Sequence, residues 1–180
     1  ITKNYRDAYK IFASNGILFN HESPLRGETF VSKKITMAVA KIKLGKQKLM
    51  YLGNLDAKRD WGHAKDYVEG MHKILQQKKP DDFVLATGKS FTVRKFVEDA
   101  FKCIDVEIIW RGKSLNEVGI DKKTKNVLVK IDKRLFRPNE VNFLKGNNMK
   151  AKKILKWTPK INYIKLVKEM VASDLENLSS

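Results

Sequence analysis

Apolar positions along the chain recur with two different periods, and their alternation predicts the elements. Tyr5, Ala8, Tyr9 and Phe12 fall at i, i+3, i+4 and i+7, one face of a helix. Asn15-Gly16 is expected to close that helix, because glycine takes the left-handed conformation of a C-terminal cap without steric cost. Ile17-Leu18-Phe19 reads as a short buried strand, and a polar, Pro-containing loop follows from Asn20 to Glu28. A second helix carries Ile35, Ala38, Val39 and Ile42 on one face and ends at Gly45. Leu49 to Leu52 reads as a strand entering the turn Gly53-Asn54. In the next helix Ala64, Tyr67, Val68, Met71, Ile74 and Leu75 form one stripe, opposed by Lys65, Asp66, Glu69, His72 and Lys73. Phe83 to Ala86 is a continuous apolar strand, and Val93, Phe96, Val97, Ala100, Phe101 and Ile104 predict a helix with Ser90 or Thr92 as its N-cap.

Past Ile104 the spacing changes. Val106 to Trp110 and Val127 to Ile131 predict two strands, separated by a polar stretch from Lys113 to Asn126 that reads as a mobile loop. Helices are expected around Met149 to Leu155 and from about Tyr163 to Leu178. Strand and helix in alternation indicate an α/β chain with part of its sheet parallel.

Composition narrows this picture. At 180 residues, 42% apolar and 32% charged, the chain has enough material for a buried core, and its apolar runs are too short to cross a bilayer. One cysteine, Cys103, makes no internal disulfide, and His21, His63 and His72 have no zinc-ligand spacing, so a reducing, cytoplasmic setting is expected. The net charge of +17 raises nucleic acid as a partner, but the basic set is 30 Lys and only 7 Arg, scattered along amphipathic segments. Most of that charge reads as solvated surface, with a basic nucleic-acid-binding module as the less favoured alternative. The chain begins Ile1-Thr2-Lys3-Asn4, already inside a helical pattern, with its first methionine at Met37. The expectation is therefore a piece of a longer protein.

Several chemistries are excluded by spacing. No two glycines are nearer than seven residues, so neither a Gly-x-Gly-x-x-Gly dinucleotide loop nor a phosphate loop is present. Tyr-x-x-x-Lys and the nucleophile elbow Gly-x-Ser-x-Gly are absent as well. What remains is polar residues in loops past strand ends, where α/β proteins bind ligands. Asn20 to Val31 offers an amide, an imidazole, a guanidinium and two carboxylates; Gly53 to Trp61 brings Arg59 and Asp60 ahead of a helix; Arg137-Pro138-Asn139-Glu140 pairs an anion binder with a carboxylate able to hold ribose hydroxyls. Each reads alternatively as a capped turn with a surface ion pair. Together they point to phosphate and sugar hydroxyls.

At these positions the chain resembles a known family. Tyr5-Arg6-Asp7-Ala8-Tyr9, the run Phe12 to Pro24, and Arg26-Gly27-Glu28-Thr29-Phe30-Val31 are similar to the GDP-mannose 4,6-dehydratases, members of the extended short-chain dehydrogenases/reductases. The likeness continues through Tyr51 to Asp56, Arg59 to Val68, Ala86-Thr87-Gly88, Phe136 to Val141 and Trp157-Thr158-Pro159. It implies the C-terminal part of an NAD(P)-binding, Rossmann-like doubly wound sheet with a small α/β substrate-binding domain. Residues 1–104 would carry the last strands and helices of the Rossmann-like domain interleaved with substrate-binding segments, and residues 105–180 would be mainly substrate-binding. The activity implied is conversion of GDP-mannose to GDP-4-keto-6-deoxymannose and water by NADP-mediated internal redox, in a homo-oligomer, dimer or tetramer; a reductase or epimerase of the same family is the alternative.

The resemblance also assigns positions. Asn20 would contact the substrate diphosphate; His21 and Arg26 would bind NADP, at the nicotinamide ribose and the phosphates. Val31 and Lys34 would line the GDP pocket, Leu52 and Gly53 would flank the guanine, Arg59 and Arg137 would neutralise phosphate, and Glu140 would take the guanosine ribose. Helical burial competes for Val31 and Leu52, and His63 reads as a capping residue. Leu25 stands where the family usually has Arg, the segment between Gly119 and Val127 is shorter, and Leu155-Lys156-Trp157 replaces Leu-Gly-Trp. The family's glycine loop, catalytic Thr and Glu and Tyr-x-x-x-Lys pair would lie upstream of Ile1, so this chain alone is expected to be inactive.

Overall fold

The computed structural model describes residues 1–136 and 141–179. In chain order the elements are α1 (Thr2–Tyr9), β1 (Gly16–Leu18), β2 (Asn20–Glu22), α2 (Val31–Lys43), β3 (Met50–Leu52), β4 (Lys58–Arg59), β5 (Trp61–His63), α3 (Ala64–Leu75), β6 (Phe83–Leu85), β7 (Phe91–Thr92), α4 (Val93–Lys102), β8 (Ile108–Arg111), β9 (Val118–Asp121), β10 (Val127–Ile131) and α5 (Tyr163–Ser179). A π-helical turn spans Ala151–Leu155. They divide into two compact units, one of Ile1–Glu22, Arg59–Ser90 and Leu144–Tyr163, the other of Ser23–Lys58, Phe91–Phe143 and Ile164–Ser180.

The first unit holds two parallel strand pairs, β1 with β6 and β2 with β5. Parallel pairs are stable where their faces are covered, and α3 covers these. Tyr67 and Ile74 of α3 pack with Phe83, Leu85, Ala151, Leu155 and Trp157, with Leu18 at the edge. Gly70 lets α3 approach closely, since a Cβ there would stand 2.7 Å from Leu85 Cδ1. Trp157 Nε1 donates to Asp66 O (2.7 Å), and the Asp66 carboxylate accepts the backbone N–H groups of Lys160 (3.0 Å) and Ile161 (2.9 Å). The stripe expected on α3 is narrower than its sequence suggests: Val68, Met71 and Leu75 face outward, and Gly70 takes the inner position.

Helix α1 also differs from expectation. It ends at Tyr9, and Lys10, not Gly16, adopts the left-handed cap (φ 56°), its ammonium donating to Asp7 O at 2.9 Å. That hydrogen bond satisfies a carbonyl of the last turn and leaves Phe12 outside the helix. Gly16 opens β1 instead, and Asn20 to Glu22, expected in a loop, is the strand β2.

The second unit is built on a four-stranded mixed sheet in the order β3-β10-β9-β8, with β10 parallel to β3 and antiparallel to β9. Helices α2, α4 and α5 contribute its core: Ile35 and Val39, then Phe96, Val97 and Phe101, then Leu166, Val167 and Met170 are all buried. The stretch expected as a loop between two strands contains β9, paired on both sides. Gly119 hides this strand from a sequence reading, yet its bare Cα is what the sheet requires: a Cβ would meet Trp110 and Val129 at 3.0 Å.

Candidate functional site

In the first unit the site grows from the β2–β5 pair, whose register sets His21 opposite Gly62 and Glu22 opposite His63. Tyr67, from the first turns of α3, lies against Gly62, where a Cβ would stand 2.5 Å from its ring, and stacks on the His21 imidazole with centroids 5.2 Å apart. Its phenol is pushed well above the usual tyrosine range, first by burial and then by the charges of Asp60, Asp66 and Glu22. His21 Nδ1 is 2.9 Å from Phe19 O. A carbonyl only accepts, so Nδ1 carries the proton and Nε2 of the neutral ring remains an acceptor. His63, by contrast, caps α3: its Nδ1 accepts from the Lys65 backbone N–H at 3.1 Å, the structural role its sequence position suggested.

Arg59, half-buried, immediately precedes a carboxylate with four hydrogen bonds. Asp60 is fully buried and accepts from Thr87 N (2.8 Å), Thr87 Oγ1 (2.6 Å), Gly88 N (2.9 Å) and Gly146 N (3.1 Å). It thereby ties the loop after β6 and the segment at 146 to the backbone beside Arg59. Sequence reasoning placed Asp60 in a polar cluster but missed this role, because its partners are 27 to 86 residues away and no local pattern signals them. Asn20, His21 and Arg59 are thus the predicted site residues of the first unit.

Arg26, Val31, Lys34, Leu52 and Gly53 belong to the second unit. The Arg26 guanidinium lies over the Phe30 ring, 3.5 Å from its centroid. Phe30 is the N-cap of α2, so Val31 occupies that helix's first turn and Lys34, exposed, follows one turn on. Leu52 is buried at the C-terminal end of β3, paired with Ile131. Gly53 follows, and a Cβ there would stand 2.5 Å from Leu135 O, so only glycine lets the two backbone segments approach.

Gly53 lines a cavity of about 260 Å³ with Asn54, Asp56, Ser114, Glu117 and Phe136 among its walls. Two of those walls are carboxylates held by one guanidinium: Arg94 donates to Glu117 (2.5 and 3.1 Å) and to Asp56 (2.9 Å). Arg94 and Glu117 went unnoticed in the sequence, since 23 residues separate them and β9 was not foreseen. Arg137 and Glu140 lie outside the described residues. Among the described residues no helix is long and apolar enough to cross a membrane, and no cluster of three His, Cys, Asp or Glu offers a metal site.

A family model described as GDP-mannose 4,6 dehydratase matches residues 1–170. A GDP-mannose 4,6 dehydratase of Dictyostelium discoideum is 57% identical over 180 residues, covering 100% of this chain and 51% of that protein. The human GDP-mannose 4,6 dehydratase is 55% identical over 176 residues, covering 98% and 47%. Among solved structures, that of RMD from Pseudomonas aeruginosa complexed with NADPH superposes with a TM-score of 0.77 at 15% identity, covering 97% of this chain and 52% of that one. This last likeness concerns the fold, and the α/β class expected from the sequence is the one the two share. The chain spans about half the length of the relatives it matches.

Proposed function

Because this chain belongs to the GDP-mannose 4,6-dehydratase family, we propose that it forms the substrate-binding half, and part of the cofactor site, of a dehydratase converting GDP-mannose to GDP-4-keto-6-deoxymannose and water. The observation that carries this reading is the cavity at the C-terminal end of β3, bounded by Gly53 and by the carboxylates that Arg94 holds. The C-terminal ends of parallel strands are where α/β folds take nucleotides, and carboxylates beside an apolar floor suit the N–H donors of a guanine edge. In this reading Leu52 and Gly53 flank the base, Val31 and Lys34 line the GDP pocket, Asn20 and Arg59 hold the diphosphate, and Arg137 and Glu140 complete the phosphate and ribose contacts. Residues 105–180 serve mainly the substrate and residues 1–104 both substrate and cofactor.

The residues present fit a nicotinamide cofactor, here NADP. His21 keeps Nε2 free to accept a ribose hydroxyl, because its other nitrogen is committed to Phe19 O. Arg26 keeps a permanent charge on a planar group steadied by Phe30, suited to a phosphate. When bound, NADP supplies a hydride acceptor and donor for oxidation at C4 of the mannose and reduction at C6, with loss of water across C5 and C6. The contribution of this chain is to bind and orient: Asp60 fixes the backbone at Arg59, and Tyr67 fixes the His21 ring. The enzyme is in this reading a cytoplasmic lyase that acts as a dimer or tetramer, with its catalytic acid and base outside this chain.

The test compares this 180-residue chain with the protein extended to the length of its relatives. GDP-mannose turnover is expected only from the longer protein, and Arg59→Ala is expected to abolish GDP binding while Lys-to-Gln changes on exposed helix faces leave it intact. Turnover by the 180-residue chain alone, or salt-dependent RNA binding indifferent to Arg59, would overturn the reading.

A further inference from the structure

Strands β1 and β6 run parallel with Leu18 opposite Leu85, so the chain leaves both of them at the same, carboxyl, end. Phe19 N donates to Leu85 O at 3.0 Å, and Asn20 and Thr87 each follow their strand by two residues. That end of a parallel pair is where α/β folds bind phosphate-bearing ligands. Arg59 comes to it from another part of the chain, since it precedes β5, whose partner is β2. Asp60 joins the two pairs. Its wholly buried side chain accepts from Thr87 N and Oγ1 through Oδ1, and from Gly88 N and Gly146 N through Oδ2. Gly146 is in turn pressed on the end of β6, where a Cβ on it would stand 2.1 Å from Ala86 Cβ, and Asn148 Nδ2 donates to Ala86 O at 2.8 Å. A carboxylate is costly to bury, and one met by three backbone N–H groups and a hydroxyl is fixed in place by them.

We propose that Asp60 is the positioning residue of the diphosphate site: by binding the loop after β6 it sets the backbone of Arg59 at the carboxyl end of β1 and β6, where Asn20 leaves β1. This rests on the dehydratase reading, which gives Arg59 and Asn20 to the diphosphate, and adds to it the residue that brings them to one place. The link reaches Asn20 a second time, because Asn20 pairs with Trp61, the residue after Asp60. Asp60 itself offers a phosphate nothing, since both its oxygens are occupied and a carboxylate accepts hydrogen bonds without donating them. It acts through Arg59 and Asn20. An asparagine at position 60 probes the carboxylate without changing its volume. Its amide nitrogen must face either the Gly88 and Gly146 N–H groups or the Thr87 N–H group, and a donor set against a donor breaks the bond. The second orientation costs less, because the Thr87 hydroxyl can turn to accept, so Asp60→Asn chiefly frees the Thr87 backbone.

The test measures the affinity of the protein, extended to the length of its relatives, for GDP by calorimetry and for guanosine by competition with GDP. Asp60→Asn is expected to weaken GDP binding at least about tenfold and to leave guanosine within about twofold, a split that a general loosening of the fold would not produce. Thr87→Val removes one donor at a half-buried position. It is expected to show the same split at about threefold, and it becomes the deciding variant if Asp60→Asn does not fold. Arg59→Lys keeps the charge and loses the planar fork, and Asp60→Asn added to it is expected to weaken GDP binding by less than it does alone, because both changes act on one contact. Equal losses for GDP and guanosine, unchanged GDP affinity in the deciding variant, or full additivity with Arg59→Lys would overturn the role of Asp60 and leave the dehydratase reading standing. Failure of the unsubstituted extended protein to bind GDP would overturn both.

Discussion

The imidazole of His21 rests on the phenol ring of Tyr67, with planes 25° apart and centroids separated by 5.2 Å. The ring that orients the proposed cofactor contact is thus supplied by a core residue of α3, itself in edge-on contact with Trp157 at 5.8 Å. Tyr67 is fully buried, and its hydroxyl has no partner among the described residues. A buried hydroxyl left unsatisfied costs stability, so Tyr67→Phe is expected to be neutral or to gain about 1 kcal/mol while keeping the stack. Tyr67→Ala removes both the stack and a core ring, and is expected to cost about 3–5 kcal/mol. Urea unfolding of the two variants checks the contrast, and NADP binding by the extended protein should survive only in the first.

Lys33 and Asp174 form a buried ion pair in the second unit, joining α2 to α5, and Lys33 Nζ also donates to Pro24 O at 2.8 Å. Removing one member strands the other charge in the interior, so Lys33→Ala is expected to destabilise by about 3–5 kcal/mol. Replacing both, as Lys33→Met with Asp174→Leu, is expected to lose much less, because no buried charge remains. A double-mutant cycle on unfolding midpoints measures the difference. The hydrogen bond to Pro24 O adds a second readout: the loop that carries Arg26 should exchange its amides faster in either variant.

Strand β10 spans the residues its apolar run predicts, Val127 to Ile131, and α3 begins at Ala64 as its periodicity requires. Local pattern suffices there because burial on one face dictates residue type. It fails where the determinant is a distant partner. Gly119 reads as a loop until Trp110 and Val129 are seen across it, and Asp60 reads as one more surface acid until Thr87, Gly88 and Gly146 turn their donors toward it. Lys10 reads as surface charge, yet it ends α1 by accepting the left-handed conformation that glycine would normally take. The candidate site residues were named through the family likeness and not through local pattern; the carboxylates that Arg94 gathers around the cavity became visible only once β9 was in place.

Arg6 donates to both oxygens of Asp82 (2.7 and 3.2 Å), and Asp82 also accepts from the backbone and side chain of Asn15 (2.9 Å each). The guanidinium first, then the Asn15 N–H, hold this carboxyl well below the usual aspartate range. A depressed folded-state pKa stabilises the fold above the unfolded value of about 3.9 and loses that contribution as pH falls through the folded value. Asp82→Asn is therefore expected to lower the unfolding midpoint at pH 7, with the deficit shrinking steadily below about pH 4. A pH-independent deficit would assign the effect to packing around Asn15 instead of charge.

Gly53 supplies the sharpest link between backbone geometry and the proposed nucleotide pocket. Its Cα faces the carbonyl of Leu135, and a methyl added there would sit 2.5 Å from that oxygen and 2.9 Å from its carbon. Both atoms are backbone, so relief must come from moving the segment around Leu135. That segment includes Phe136, a wall of the cavity, and leads directly into the Arg137 to Glu140 run proposed to hold phosphate and ribose. Gly53→Ala is thus expected to weaken GDP binding at least about tenfold, as a shift of about 1 Å in a positioning segment does, while costing only about 1–3 kcal/mol of stability, the usual range for overpacking. The measurement is GDP affinity beside the thermal midpoint in the extended protein. Unchanged affinity with a lowered midpoint would show that the close approach at Gly53 serves packing and not the pocket.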